Sequence, residues 1–182
     1  MSYNIDTYIG PSFSLRNRIG RVTWGIVYLL FFRYSPRPLH AWRAFLLRLF
    51  GAEIGKGVHV YPRAKIWAPW TIKIGDESGI SDDVNLYSQA PITIGKRVVI
   101  SQGSYICTGT HDYMKRGFPL RALPIIIEDY AWIATEVFVH PGVAIGEGSV
   151  VGARSVVTKD TEPWMVCAGF PCKPIKERII VD

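Results

Sequence analysis

Of the four histidines in this chain, His111 is the one placed to do acid–base chemistry. It ends the run Thr-Gly-Thr-His111-Asp, and the residues that follow, 112–124, carry a glycine and two prolines and no hydrophobic periodicity. That composition predicts a loop extruded from a more regular scaffold, where functional groups tend to sit. Imidazole titrates near neutrality, so it can take a proton from an attacking hydroxyl and return it to a leaving group. Residue type alone leaves a structural imidazole open as the alternative. His59 and His140 stand next to inward positions and should point into solvent, and His40 falls in a helical segment with a structural role. No second histidine lies in the loop after His111, so a zinc centre of the carbonic anhydrase kind has no ligand set here, and no metal is expected. Cys107, Cys167 and Cys172 form neither a disulfide framework nor a zinc pattern, which suits a reducing compartment.

The scaffold that must hold His111 is written as a six-residue period. Ile54, Val60, Ile66 and Ile72 are six apart, as are Ile74, Ile80, Leu86 and Ile92, then Ile94, Ile100 and Ile106, and finally Ile127, Ile133, Val139, Ile145, Val151 and Val157. A period of six fits neither 3.6 nor strict alternation, but it fits short strands joined by corners, three to a coil. About five coils of a parallel β-helix result, with a two-residue corner extension where the offset is twenty. Glycine often follows the apolar position (Gly55, Gly75, Gly95, Gly146, Gly152), read here as relief where the chain bends. Ala64, Ser78, Val84, Ala131, Ser149 and Ser155, two before it, are small or β-branched and should pack beneath the inward side chain. The step from Ile106 to Ile127 is out of register, as an inserted loop requires.

Before the repeat lies a segment of different character. Residues 1–50 hold seven arginines and one acid, 7 − 1 = +6, whereas the remainder is balanced at 14 basic and 14 acidic residues. Two helices are expected, near 17–33 and 39–50, separated by Ser35-Pro36-Arg37-Pro38 and stopped at Gly51. The run Trp24-Gly-Ile-Val-Tyr-Leu-Leu-Phe-Phe32 is too short to cross a bilayer, which takes about 20 residues. Two roles fit this arm: a cap on the open end of the solenoid, and contact with an anionic lipid surface through residues 13–50. Nothing in it follows a secretory signal, so a cytoplasmic protein is expected, peripheral at the inner face of the membrane and with no nucleic-acid partner.

The repeat, the His111 run, Trp132-Ile-Ala, Val-Val-Thr158-Lys159-Asp and Gly169-Phe-Pro-Cys-Lys173-Pro-Ile-Lys176 together resemble the left-handed β-helix O-acetyltransferases over residues 52–178. The branch assigned to colanic acid and exopolysaccharide synthesis also shares Trp-Arg-x-Phe-Leu-Leu-Arg-Leu-Phe-Gly, here residues 42–51. The resemblance implies a homotrimer, acetyl-CoA as donor and His111 as general base. It implies that Lys159, Lys173 and Lys176 meet the anionic nucleotide end of CoA, and that Trp132, Thr135, Ala153 and Thr158 line the pantetheine path. Phe170 departs from the family, which often has Asn or Val there, and the acceptor-side Asn has no secure counterpart. Asp83 or Asn85 could bond the sugar, and either could equally be a corner residue.

Three regions follow: an arm over 1–51, a β-helix over 52–168 with its loop at 112–124, and a tail over 169–182 that contributes to the CoA site. The function expected is acetyl transfer to a hydroxyl of a sugar or lipid-linked glycan. N-acetylation of a nucleotide-linked amino sugar and a nonenzymatic solenoid are the alternatives.

Overall fold

The computed structural model describes residues 12–181. The first eleven residues of the expected arm, Asp6 among them, and Asp182 at the end of the tail lie outside the described residues.

The arm holds two helices. Helix α1 (Leu15–Val27) is capped by the Ser14 hydroxyl and continues through a π-helical turn, Tyr28–Phe32. Helix α2 (His40–Leu49) follows the Ser35–Pro38 break and ends where Gly51 adopts φ +87 and its N–H donates to the Arg48 carbonyl, a left-handed stop that a side chain would strain. No helix among the described residues is long and apolar enough to cross a membrane.

The rest is a three-sided prism. Coil 1 is β1 (Glu53–Ile54), β2 (His59–Val60) and β3 (Lys65–Ile66); coil 2 is β4 (Ile72–Ile74), β5 (Gly79–Ile80) and β6 (Asn85–Tyr87). Coil 3 is β7 (Ile92–Ile94), β8 (Val99–Ile100) and β9 (Tyr105–Cys107), after which β10 (Gly109–His111) and β11 (Leu120–Ala122) leave the prism as an antiparallel hairpin. Coil 4 is β12 (Ile125–Ile127), β13 (Trp132–Ile133) and β14 (Phe138–Val139); coil 5 is β15 (Ala144–Ile145), β16 (Val150–Val151) and β17 (Val156–Val157). A sixth coil begins with a bridge from Thr161 to Ile145 and β18 (Met165–Gly169), and then β19 (Cys172–Glu177) folds back antiparallel on β18. The first, second and third strands of successive coils stack in parallel as faces A, B and C. The expected loop thus has strand-paired walls, and only its tip lacks regular structure.

Every apolar position of the six-residue period is buried except Ile54, which is half-buried at the open end. Ile74, Ile94 and Ile133 are at most 2% exposed. Burying one such side chain contributes roughly 1.5–3 kcal/mol, so this ladder is the main source of stability. Beneath the rungs, Ser78, Ser104 and Ser149 are buried and donate to backbone carbonyls of Gly95, Ala134 and Glu162 at 2.6–2.7 Å, which satisfies them without a gap in the core. The end of the prism is closed by α2, whose Leu46 and Leu47 join the same core as Val58 and Val60.

The repeat glycines do a different job from the one expected. Gly75 has no left-handed φ; a Cβ there would lie 2.6 Å from the backbone carbon of Gly95 on the next coil. Gly146 would meet the backbone nitrogen of Pro163 at the same distance. These positions are glycine because backbones stack there, while the left-handed corners fall elsewhere, at Glu77, Asp83, Arg97 and Glu136 and at the other glycines Gly57, Gly103 and Gly148. Chemical denaturation should therefore find Gly75→Ala less stable by about 2 kcal/mol. Gly79→Ala, where a Cβ meets nothing within 4 Å, should change stability by less than about 0.5 kcal/mol. Equal effects at the two sites would contradict this account.

Candidate active site

His111 ends β10, paired across the hairpin with Leu120, and is exposed at the corner where face C turns into face A. Its Nδ1 lies 2.6 Å from the carbonyl oxygen of Phe118. A carbonyl can only accept, so Nδ1 carries the hydrogen and Nε2 presents its lone pair outward. The hairpin tip makes this bond possible: Phe118 sits at φ +45, beside Gly117 at φ +84. Gly109, at the foot of β10, has no room for a side chain, because a Cβ would come within 2.7 Å of the Gln89 amide carbon and 3.3 Å of the Tyr87 ring.

Tyr87 links the hairpin to a cleft of about 410 Å³ between α1 and face C, lined by Arg21, Trp24, Tyr28, Lys65, Trp67, Asn85 and Tyr87. Strand alternation turns the residues beside the buried rungs outward here, and they form an aromatic ladder: Trp67 on Tyr87 at 5.9 Å, Tyr87 on Tyr105 at 6.0 Å, and Tyr105 stacked on Phe138 at 5.3 Å. Burial beside Cys107 and Tyr87 pushes the Tyr105 phenol up to about 12, and burial raises the Cys107 thiol as well. Cys107 is therefore a protonated thiol held to the Gly109 carbonyl. The Arg21 guanidinium covers the Trp67 ring at 4.5 Å, and Tyr87 with Asn85 and Lys65 beside it suits a pyranose, which offers apolar C–H faces and a rim of hydroxyls.

The two candidates for acceptor contact separate. Asn85 lies on face C within this cleft. Asp83 stands at the corner between faces B and C in a left-handed conformation and pairs with Arg63 at 3.0 Å, the corner role that its type allowed.

The cofactor candidates spread over two corners. Trp132 lies on face B, its indole N–H donating to the Ser101 hydroxyl at 3.0 Å. Thr135 and Ala153 stack one above the other at the corner between B and C, where Arg154 N–H donates to the Thr135 carbonyl. Thr158 and Lys159 are exposed at the corner between C and A, two coils beyond the His111 hairpin. Lys159 and Lys173 line a small cavity of about 110 Å³, and Lys176 is exposed further along β19. Among the described residues no group of three His, Cys, Asp or Glu side chains is placed to hold a metal ion. His140 packs edge-on against Phe138, and His59 stacks on His40, so both exposed histidines are held by aromatic neighbours.

Sequence reasoning missed Phe118, Tyr87, Trp67, Tyr105 and Arg21. The aromatics were visible as outward neighbours of ladder positions; Arg21 and the Phe118 carbonyl join the site through tertiary contacts that no spacing encodes.

Residues 124–159 match the family model described as bacterial transferase hexapeptide (six repeats). The "Putative colanic acid biosynthesis acetyltransferase WcaF" of Escherichia coli (strain K12) is 51% identical over 163 residues, 90% of each chain. Galactoside O-acetyltransferase of the same strain is 33% identical over 138 residues, 74% of this chain and 68% of its own. A hexapeptide-repeat acetyltransferase from Vibrio cholerae O1 biovar eltor, solved with acetyl-CoA, superposes with a TM-score of 0.84 at 32% identity, covering 93% of each chain.

The hairpin geometry makes a direct prediction. Nitrogen NMR of the neutral His111 ring should show the Nδ1–H tautomer with a bare Nε2. The opposite tautomer would mean that the Phe118 contact does not orient the ring.

Proposed function

Because this chain belongs to the hexapeptide-repeat acetyltransferases, we propose that it transfers the acetyl group of acetyl-CoA to a hydroxyl of a sugar during synthesis of exopolysaccharide or another cell-surface glycan. The observation that carries the reading is the Nε2 lone pair of His111, aimed outward from a hairpin whose foot touches the aromatic cleft.

A sugar hydroxyl is a weak nucleophile at neutral pH, so its proton must leave as the new bond forms. His111 Nε2 takes that proton while the oxygen attacks the thioester carbonyl carbon. The tetrahedral intermediate then expels the CoA thiolate, and the imidazolium returns the proton to sulfur. Phe118, by holding Nδ1–H, keeps the ring in the tautomer this needs and stabilises its charged form. Asn85 and Lys65 orient the acceptor against Tyr87, beside Trp67, whose ring the Arg21 guanidinium covers. Lys159, Lys173 and Lys176 hold the phosphorylated end of the donor, with Trp132, Thr135, Ala153 and Thr158 along its path.

One protomer puts the histidine hairpin at one corner and Trp132, Thr135 and Ala153 on or beside another face. We therefore read the site as completed by a neighbouring copy in a trimer. The enzyme works in the cytoplasm at the inner face of the membrane, on a sugar or lipid-linked acceptor.

In a thiol-release assay, His111→Ala should lose at least about 100-fold in kcat while keeping its melting temperature and its affinity for CoA. Lys173→Ala and Lys176→Ala should weaken CoA binding with little effect on saturated turnover. Unchanged turnover in His111→Ala would overturn the mechanism, and preference for amino over hydroxyl acceptors would move the enzyme to N-acetylation. Sedimentation should give the mass of three chains.

A further inference from the structure

Helix α1 has two apolar faces, and only one of them has a partner. Trp24 and Phe32 are buried against the prism, with the Trp24 indole N–H donating to the Ile66 carbonyl at 2.8 Å. On the opposite side Leu15, Ile19, Val22, Ile26, Leu29 and Leu30 repeat at helical spacing, each between 49% and 68% exposed. Helix α2 adds Trp42, Phe45 and Leu49, again at helical spacing and exposed. The two stripes meet, since the Trp42 indole N–H donates to the carbonyl of the exposed Phe31 and its ring stacks on Phe45. A soluble domain seldom shows water so continuous an apolar surface unless something covers it.

The charges around the stripe identify the occupant. Arg37 is paired to Asp82, Arg48 bonds the carbonyls of Ile54 and Gly55, Arg21 lies over Trp67, and Arg43 is fully buried on the Val60 and Pro36 carbonyls. That leaves Arg16, Arg18 and Arg33 exposed and, among the described residues, without an ion pair. Helical periodicity puts Arg16 and Arg18 on the two flanks of the stripe, and there is no acidic residue between positions 7 and 52. An apolar band edged by arginines, with Trp42 and Tyr34 at its border, is the pattern of a helix lying in the headgroup region of an anionic bilayer, where arginine stems lie along the acyl boundary and their heads meet phosphate.

We propose that the outer face of α1, the Tyr28–Phe32 turn and α2 is a docking surface for an anionic lipid bilayer, with the helices lying flat on it. This deepens the reading of a membrane-facing enzyme, and its test does not use the reaction.

The full-length protein should co-sediment with vesicles of phosphatidylcholine mixed with phosphatidylglycerol, and much less with phosphatidylcholine alone. Added salt should weaken the binding. The double variant Ile19→Gln/Ile26→Gln, altered only at exposed positions, should lose binding at least tenfold with an unchanged melting temperature and oligomeric mass. Arg16→Gln/Arg18→Gln should lose the preference for anionic vesicles. No vesicle binding by the parent protein, or equal binding by both variants, would overturn the proposal. So would a fall in oligomeric mass in the Ile19/Ile26 variant, which would assign the stripe to contact between copies of this chain. Loss of acetyl transfer with intact vesicle binding would instead count against the catalytic reading alone.

Discussion

The constraint on which everything else depends is the backbone hydrogen bonding between successive coils. Each strand of coils 1 to 5 has only two or three residues, far too few to be stable alone, and it exists because the strand one coil away supplies its partners in parallel register. Ile74 lies over Ile54 and under Ile94, and Ile127 follows Ile94 in the same row although 33 residues of chain separate them. The hairpin that bears His111 can be inserted between coils 3 and 4 because it leaves the prism at a corner and returns to the same corner. It disturbs no inter-coil bond, and the Leu123 N–H closes its base on the Thr108 carbonyl. The rigid part of the molecule thus carries a projecting element without being interrupted by it.

Register also explains what was legible from residue order. Rungs six apart are equivalent in every coil, so the apolar ladder, the three-sided coil and the break before Ile127 could all be read off spacing. The twenty-residue offsets correspond to the longer corners near residues 68–71 and 88–91, the first of them a 3-10 turn, Pro69–Thr71. The purpose of the repeat glycines could not be read this way. Gly75 is small because of Gly95, and that relation exists only once coils are stacked. The candidate site divides along the same line. His111 was visible from its place before the loop, whereas Phe118, Tyr87 and the cleft against α1 depend on which corner the hairpin leaves and on where the helix is laid.

The arm shows how composition can mislead until contacts are known. Its positive charge reads as one basic patch, yet Arg43 is wholly buried and coordinates carbonyls of the inter-helix turn and of Val60, fastening α2 and the turn to coil 1. Burial lowers its pKa, opposed by Asp82, but guanidinium stays charged at any physiological pH. Part of the charge is therefore structural cement. The exposed remainder is small in number and sits where the apolar stripe ends, a more specific arrangement than a diffuse basic surface.

Coil number then orders the functional parts along the prism axis. The cleft under α1 spans coils 1 and 2, the His111 hairpin issues from coil 3, and Lys159 and Lys173 belong to coil 5 and the hairpin beyond it. Strands in neighbouring coils stand about 4.8 Å apart, so along the axis Lys159 lies roughly 10 Å and Lys173 roughly 20 Å from the coil that bears the hairpin. On the proposed reading, a donor whose anionic end rested on the lysines would bring its thioester to the hairpin from one direction, and an acceptor held under the arm would arrive from the other. The two would meet, on that reading, at the His111 imidazole. A membrane-bound acceptor would enter from the end of the prism that the arm covers, which is also the end where the unpartnered apolar face lies. The same helix α1 that walls the cleft with Trp24 and Tyr28 on one side presents Ile19, Val22 and Ile26 on the other. One helix thickness thus separates the wall of the cleft from the proposed bilayer face.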